Sequence, residues 1–157
     1  MRTRGFTLIE LLVTLAILGL LATAAAPMAE LTARRVRETE LRHALREIRT
    51  AIDAYKQAGE EGRIARAADA TGYPASLRQL VDGVPQENDA AKRRIYFLRR
   101  VPPDPFYVGP AVSRPEDTWG LRAYSSPPDR PQSGKDVFDV YSTSQAIGLN
   151  GTPYSQW

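Results

Sequence analysis

Apolar positions fall along this chain in two different rhythms. From Phe6 to Ala26, 21 residues carry a single charge, Glu10, and Leu8, Ile9, Leu11, Leu12, Val13, Leu15, Ile17, Leu18, Leu20 and Leu21 occupy every face of a helix. At 1.5 Å per residue that helix is about 30 Å long, the hydrocarbon thickness of a bilayer, and a helix apolar all round belongs in lipid or among other helices. Beyond Pro27 the rhythm changes. Leu41, Leu45, Ile48, Ile52 and Tyr55 recur at intervals of 4, 3, 4 and 3, which predicts one apolar stripe that needs a covering surface. The pairs Arg34/Glu38, Glu38/Arg42 and Arg49/Asp53, each four residues apart, predict a solvated opposite face. Gly59 and Gly62 predict the end, giving one helix from about Phe6 to Ala58.

The rest of the chain reads as shorter pieces, without an internal repeat. Residues 62–72, rich in alanine and charge, form a connector. "YPASLRQLV" (Tyr73 to Val81) predicts a turn and a short helix carrying Leu77, Leu80 and Val81. "KRRIYFLRR" (92–100) fits either a strand or a buried helical turn, ended by "VPPDPF". "WGLRAYSS" (Trp119 to Ser126) and "DVFDVYS" (Asp136 to Ser142) predict two strands of an antiparallel hairpin with the proline-rich "PPDRPQSG" as its loop, a sheet suited to cover the helical stripe. The fold class is therefore α+β, a long N-terminal helix with a hydrophobic transmembrane half and an amphipathic half packed on a small C-terminal antiparallel sheet.

Composition adds mostly exclusions. At 157 residues the chain fits one domain, and its 43% hydrophobic content hides how much of it lies at the front. With no cysteine and one histidine, thiolate chemistry and the usual Cys/His zinc clusters are excluded. A secretory signal peptide, with Arg2 and Arg4 as its basic region and Ala24 to Ala26 as its cleavage site, fits poorly. The apolar run exceeds the usual length, contains a glutamate, and would put Pro27 directly after the cut.

The start of the chain resembles a known family. "RGFTLIELL" (residues 4–12) is similar to the class III leader and mature start of type IV pilins and type II secretion pseudopilins: a basic leader ending in glycine, then phenylalanine, then an apolar run with glutamate at its fifth position. The resemblance implies cleavage between Gly5 and Phe6 by a prepilin peptidase at the cytoplasmic face, N-methylation of Phe6, and assembly of the apolar helices into a filament core. Pro27 falls where these proteins commonly carry a helix-bending proline. The implied division is a leader over 1–5, a transmembrane and filament-core helix over 6–27, and a periplasmic pilin-like domain over 28–157.

A buried carboxylate in lipid costs about 2.5–3.5 kcal/mol on insertion scales, so Glu10, near the helix end, either snorkels to the interface or meets a cation. The amine of Phe6 in a neighbouring subunit is one; a pair within one chain, four residues apart on one helical face, is another. Cutting after Gly5 removes Arg2 and Arg4, which leaves 19 of the 21 basic residues against 18 acidic ones, so no acidic partner is required. Counting Lys and Arg alone does not decide topology, because Arg34, Arg35 and Arg37 follow the span closely. The leader resemblance implies a cytoplasmic N-terminus in a single-pass protein of the bacterial inner membrane, and a periplasmic filament after assembly.

"YPASLRQLV", "VPPDPF" and "FDVYS" are similar in order and spacing to the soluble part of major pseudopilins, which extends the resemblance over most of the chain. The implied partners are further copies of the chain, minor pseudopilins, the prepilin peptidase, an inner-membrane assembly platform, and membrane lipid before assembly. One family feature does not carry over. Major pseudopilins bind calcium in an aspartate-rich loop after the Tyr-Ser strand, but residues 143–157, "TSQAIGLNGTPYSQW", contain no Asp or Glu. Calcium wants six to eight oxygens including carboxylates, so no metal and no cofactor is expected, and Asp117, Asp136 and Asp139 are expected to be solvated. Apolar contacts of Ile147, Leu149, Tyr154 and Trp157 are expected to pin the tail instead.

No enzyme motif is present, and His43 lies alone on the arginine-rich helix, where a solvated role is expected. "KRRIYFLRR" has the five cations and two aromatics of a nucleic-acid grip, which keeps a DNA-uptake pilin as an alternative, although a charged face beside a buried apolar strip is the commoner meaning and no nucleic-acid partner is expected. The lack of a cysteine pair favours the pseudopilin over a type IV pilus subunit, the other alternative.

Overall fold

The computed structural model describes residues 5–66, with backbone only at 24–27, and residues 70–87, 89–91, 93–111 and 114–157. The leader arginines Arg2 and Arg4, and Lys92 of the basic segment, lie outside the described residues. In chain order the elements are α1 (Leu8–Glu60), α2 (Leu77–Asp82), β1 (Val84–Pro85), β2 (Arg94–Ile95), β3 (Trp119–Arg122) and β4 (Asp139–Ser142), with single 3-10 turns at Pro115–Thr118 and Tyr154–Gln156. The α+β class read from the sequence is the class observed. The chain divides into two compact units, residues 1–37 and residues 38–157.

The second unit holds the core. Leu41, Leu45, Ile48 and Ile52 are almost fully buried and Tyr55 nearly so, as the 4-3-4-3 spacing requires. Ala44, Ala51 and Ala58 are buried as well, and they widen the stripe while letting neighbouring segments approach the helix closely. Each fully buried Leu or Ile contributes about 1.5–3 kcal/mol of transfer free energy. Facing them are Leu77 and Leu80 of α2, Leu98, Val101, Trp119, Val137 and Val140.

Helix α1 stops where Gly62 permits it. Gly62 has a φ of 66°. Its N–H donates to the Gly59 carbonyl, and the next N–H, of Arg63, donates to the Ala58 carbonyl. This pair of bonds closes the helix only with a left-handed residue, the conformation that costs glycine least.

The expected hairpin forms. β3 and β4 run antiparallel with Trp119 opposite Ser142, Gly120 opposite Tyr141, Leu121 opposite Val140 and Arg122 opposite Asp139. Alternation along β4 buries Val140 and Ser142 and leaves Asp139 and Tyr141 half-buried, the pattern of a sheet with one covered face. The segment 92–100 turns out to be mostly neither strand nor helix. Only Arg94 and Ile95 pair, with Pro85 and Val84. The N–H groups of Phe97 and Leu98 both donate to the Leu80 carbonyl at the end of α2. That acceptor turns the chain inward, so Leu98 enters the core and Phe97 packs edge-on against Tyr55 at 5.3 Å.

Candidate functional site

The apolar half of α1 starts from a cap. Thr7 accepts the first helical hydrogen bond on its carbonyl, from Leu11 at 3.2 Å, and its hydroxyl accepts from the Glu10 N–H at 3.3 Å. Thr-x-x-Glu is a capping-box sequence, and a carboxylate in the first turn sits at the positive end of the helix dipole. Glu10 therefore has a local electrostatic reason for its position before any partner is considered. The cap also places Phe6 outside the helix, 82% exposed. The helical i,i+4 geometry for a pair between Phe6 and Glu10 of one chain is thus absent, since α1 begins at Leu8.

From Leu8 to Thr23 every residue is exposed. Among the described residues α1 is the one helix long and apolar enough to cross a membrane, and none of its most apolar stretch is buried within the chain. Gly5 and Phe6 are both exposed, and a Cβ added at Gly5 would meet nothing within 4 Å. The helical backbone continues through Pro27 without a break.

In the second unit three segments singled out in the sequence meet at β4 and the two residues before it. The Val137 N–H donates to the Pro74 carbonyl at 2.8 Å, and the Tyr73 ring meets the Phe138 ring edge-on at 4.9 Å. Ser142 donates its hydroxyl proton to Asp104 at 2.6 Å in a buried contact. The other Asp104 oxygen accepts from the Phe106 N–H at 2.8 Å, and the Asp104 N–H donates to the Thr118 hydroxyl at 2.9 Å. Burial pushes the Asp104 carboxyl above its ordinary value, and the Ser142 and Phe106 hydrogen bonds oppose the rise. Tyr-Pro, Pro-x-Asp-Pro and Phe-Asp-x-Tyr-Ser are thus parts of one bonded assembly.

The tail is held by a device the sequence reading missed. Glu38, expected on a solvated face, is 4% exposed and accepts from the Leu149 N–H at 2.7 Å and from the Tyr154 hydroxyl at 2.9 Å. Arg42 approaches it at 3.9 Å and lies over the Trp157 ring at 4.3 Å. Arg49, expected to pair with Asp53, reaches instead to Asp139 at 2.8 Å and to the carbonyls of Val140 and Trp157 at 3.0 and 2.8 Å. One guanidinium thus ties β4 to the tail, a use of its planar fork that a lysine cannot copy.

The apolar account of the tail holds only in part. Tyr154 is buried, stacked on Phe106 at 4.0 Å and edge-on to Trp157 at 5.0 Å. Ile147 and Leu149 are 56% and 41% exposed, and Leu149 is held by its N–H on Glu38 rather than by burial of its side chain. Gly148 sits in the turn of the tail, its N–H donating to the Thr152 carbonyl at 2.9 Å, and packs against the indole. A Cβ there would stand 2.5 Å from the Trp157 ring, so only glycine lets the indole close over the tail.

The three aspartates expected to be solvated have separate partners: Asp117 binds Arg114, Asp136 accepts from Thr71 and from the Tyr124 N–H, and Asp139 binds Arg49 and Arg122. Among the described residues no group of three or more His, Asp or Glu is placed to hold a metal ion. His43 lies exposed, 3.7 Å from Glu47 on the next turn. In the basic segment, Arg93 is engaged by Asp89 and Arg94 by the carbonyls of Asp82 and Gly83, while Tyr96, Arg99 and Arg100 are exposed.

Residues 1–26 match the family described as the prokaryotic N-terminal methylation motif. Neither a curated protein nor a solved structure matches the chain. The motif together with the uncovered apolar helix supports a type IV pilin-like, membrane-anchored subunit.

Proposed function

We propose that the chain is the structural subunit of a type II secretion pseudopilus, polymerising through the N-terminal half of α1 to drive export of folded proteins across the outer membrane. The observation that carries this reading is a methylation-motif leader followed by 16 helical residues, Leu8 to Thr23, that are all exposed. Such a helix is stable in lipid, and it leaves lipid only if equivalent apolar surface from neighbouring copies replaces it. The leader is removed between Gly5 and Phe6 by a prepilin peptidase, and the freed, methylated Phe6 amine lies outside the helix, where it can meet the Glu10 carboxylate of a neighbouring subunit. That contact sets the axial offset between successive subunits. The chain lacks the cysteine pair that many type IV pilins use, and in the basic segment Leu98 is buried and Phe97 packs on Tyr55, which favours a charged face beside a buried apolar strip over a base-stacking grip. The protein has no enzymatic role in this reading, and it sits in the inner membrane with a cytoplasmic N-terminus until assembly. In vivo crosslinking and secretion assays on Glu10→Ala and Glu10→Gln test it. Both variants are expected to lose filament crosslinks and export, and wild-type assembly in both rejects the pairing.

A further inference from the structure

After leader removal the first unit carries its cations at the wrong end for its orientation. Beyond Ala26 come Glu30, Arg34, Arg35 and Arg37, whereas the cytoplasmic side would keep only the Phe6 amine. Membrane proteins usually gather Arg and Lys on the cytoplasmic side. Three arginines on the far side therefore ask for a ligand that favours them there.

The helix indicates one. Because α1 is unbroken from Leu8 to Glu60, the Cα atoms of residues 34, 35 and 37 lie within about 5 Å of one another along the axis, roughly 12–17 Å beyond Ala26. Helical side chains lean toward the N-terminus, which draws the guanidinium groups back by about one turn, toward a headgroup layer roughly 5–8 Å deep. At about 100° per residue the three positions spread over roughly 160° of the helix, a collar rather than a stripe. Met28 and Leu31 just before them and Val36 between them expose 67%, 46% and 53% of their surface, the mixture of apolar and cationic side chains that suits a membrane interface. Arg34 and Arg35 also have interactions within the chain, and a guanidinium with five donors can serve a phosphate besides.

We propose that Arg34, Arg35 and Arg37 bind the phosphate groups of anionic phospholipids and fix the depth of the subunit in the bilayer before it enters a filament. The inference rests on the reading that the apolar helix spans a membrane. To test it, the mature chain, beginning at Phe6 and so without Arg2 and Arg4, is reconstituted in phosphatidylcholine bilayers with a minority of phosphatidylglycerol, and spin-labelled forms of each lipid report which is immobilised at the protein surface. The wild type is expected to prefer phosphatidylglycerol on the order of fivefold or more at low salt, and the preference should fall as salt rises. The variant Arg34→Gln/Arg35→Gln/Arg37→Gln is expected to prefer neither lipid while resisting carbonate extraction as the wild type does. Equal preference in wild type and variant overturns the collar alone, as does loss of the preference to inorganic phosphate at an ionic strength where chloride leaves it intact, which would mark a soluble-anion site. Release of the wild type by carbonate overturns the spanning helix, and the collar with it.

Discussion

Helix α1 contains two apolar regions of opposite fate. Residues 8–23 are apolar on all sides and wholly exposed, whereas residues 41–58 are apolar on one side and that side is buried. The difference lies in periodicity. A one-sided stripe can be satisfied by the chain's own sheet, α2 and tail, but an all-round apolar surface cannot be enclosed by a small domain and must find lipid or copies of itself. Folding therefore completes the second region, while the first is completed only by its surroundings.

The sharpest way to break the comparison is to remove the same kind of side chain from each region. In the full chain in detergent, Ile48→Ala is expected to cost about 2–5 kcal/mol in denaturant unfolding followed by tryptophan fluorescence. Leu15→Ala is expected to change that transition by less than about 0.5 kcal/mol, since it removes nothing from the core. Equal losses would mean that the two regions fold as one unit.

Next in size comes the tail anchor. Glu38→Ala strands the Tyr154 hydroxyl and the Leu149 N–H, with an expected loss of about 2–4 kcal/mol, and Trp157 should become accessible to a fluorescence quencher. Arg49→Lys keeps the charge but not the fork to Asp139, Val140 and Trp157, with an expected loss of about 1–2 kcal/mol.

A smaller effect is read in pH. Burial raises the Asp104 carboxyl in the folded state, so the folded chain holds that proton more tightly than the unfolded chain. Its contribution to stability is fully present below the ordinary carboxylate value and is lost as pH rises through the raised one. Asp104→Asn cannot titrate, so the stability of the wild type relative to this variant is expected to fall as pH climbs through that window in thermal melts. Smallest of all, calcium against chelator is expected to leave the melting temperature unchanged, since Glu38 and Arg49 already hold the tail in place.

The regular parts of the second unit were legible because they rest on local periodicity and strand alternation. The 3-4 spacing marked the buried face of α1, and β3 and β4 lie inside the two segments read as strands. Glu38 was misread by its charge, although it continues the same spacing one step toward the N-terminus: 38, 41, 45, 48, 52 and 55 all lie on one face. Its partners are 111 and 116 residues away, and those of Arg49 are 90 to 108 away, separations that i,i+4 reasoning does not reach. The pairing of β1 with β2 was hidden because two residues carry no alternation. At the front, the leader and Glu10 were legible as a motif, whereas the Thr7 cap, which sets Phe6 outside the helix, depends on a single hydrogen bond.

Assembly through the apolar helix depends most directly on the state of the first residues in the cell. Intact-mass and N-terminal peptide mass spectrometry of the native protein is expected to find a chain beginning at a methylated Phe6. A chain that retains residues 1–5, or one cut near Ala26 and free of the membrane, would contradict it.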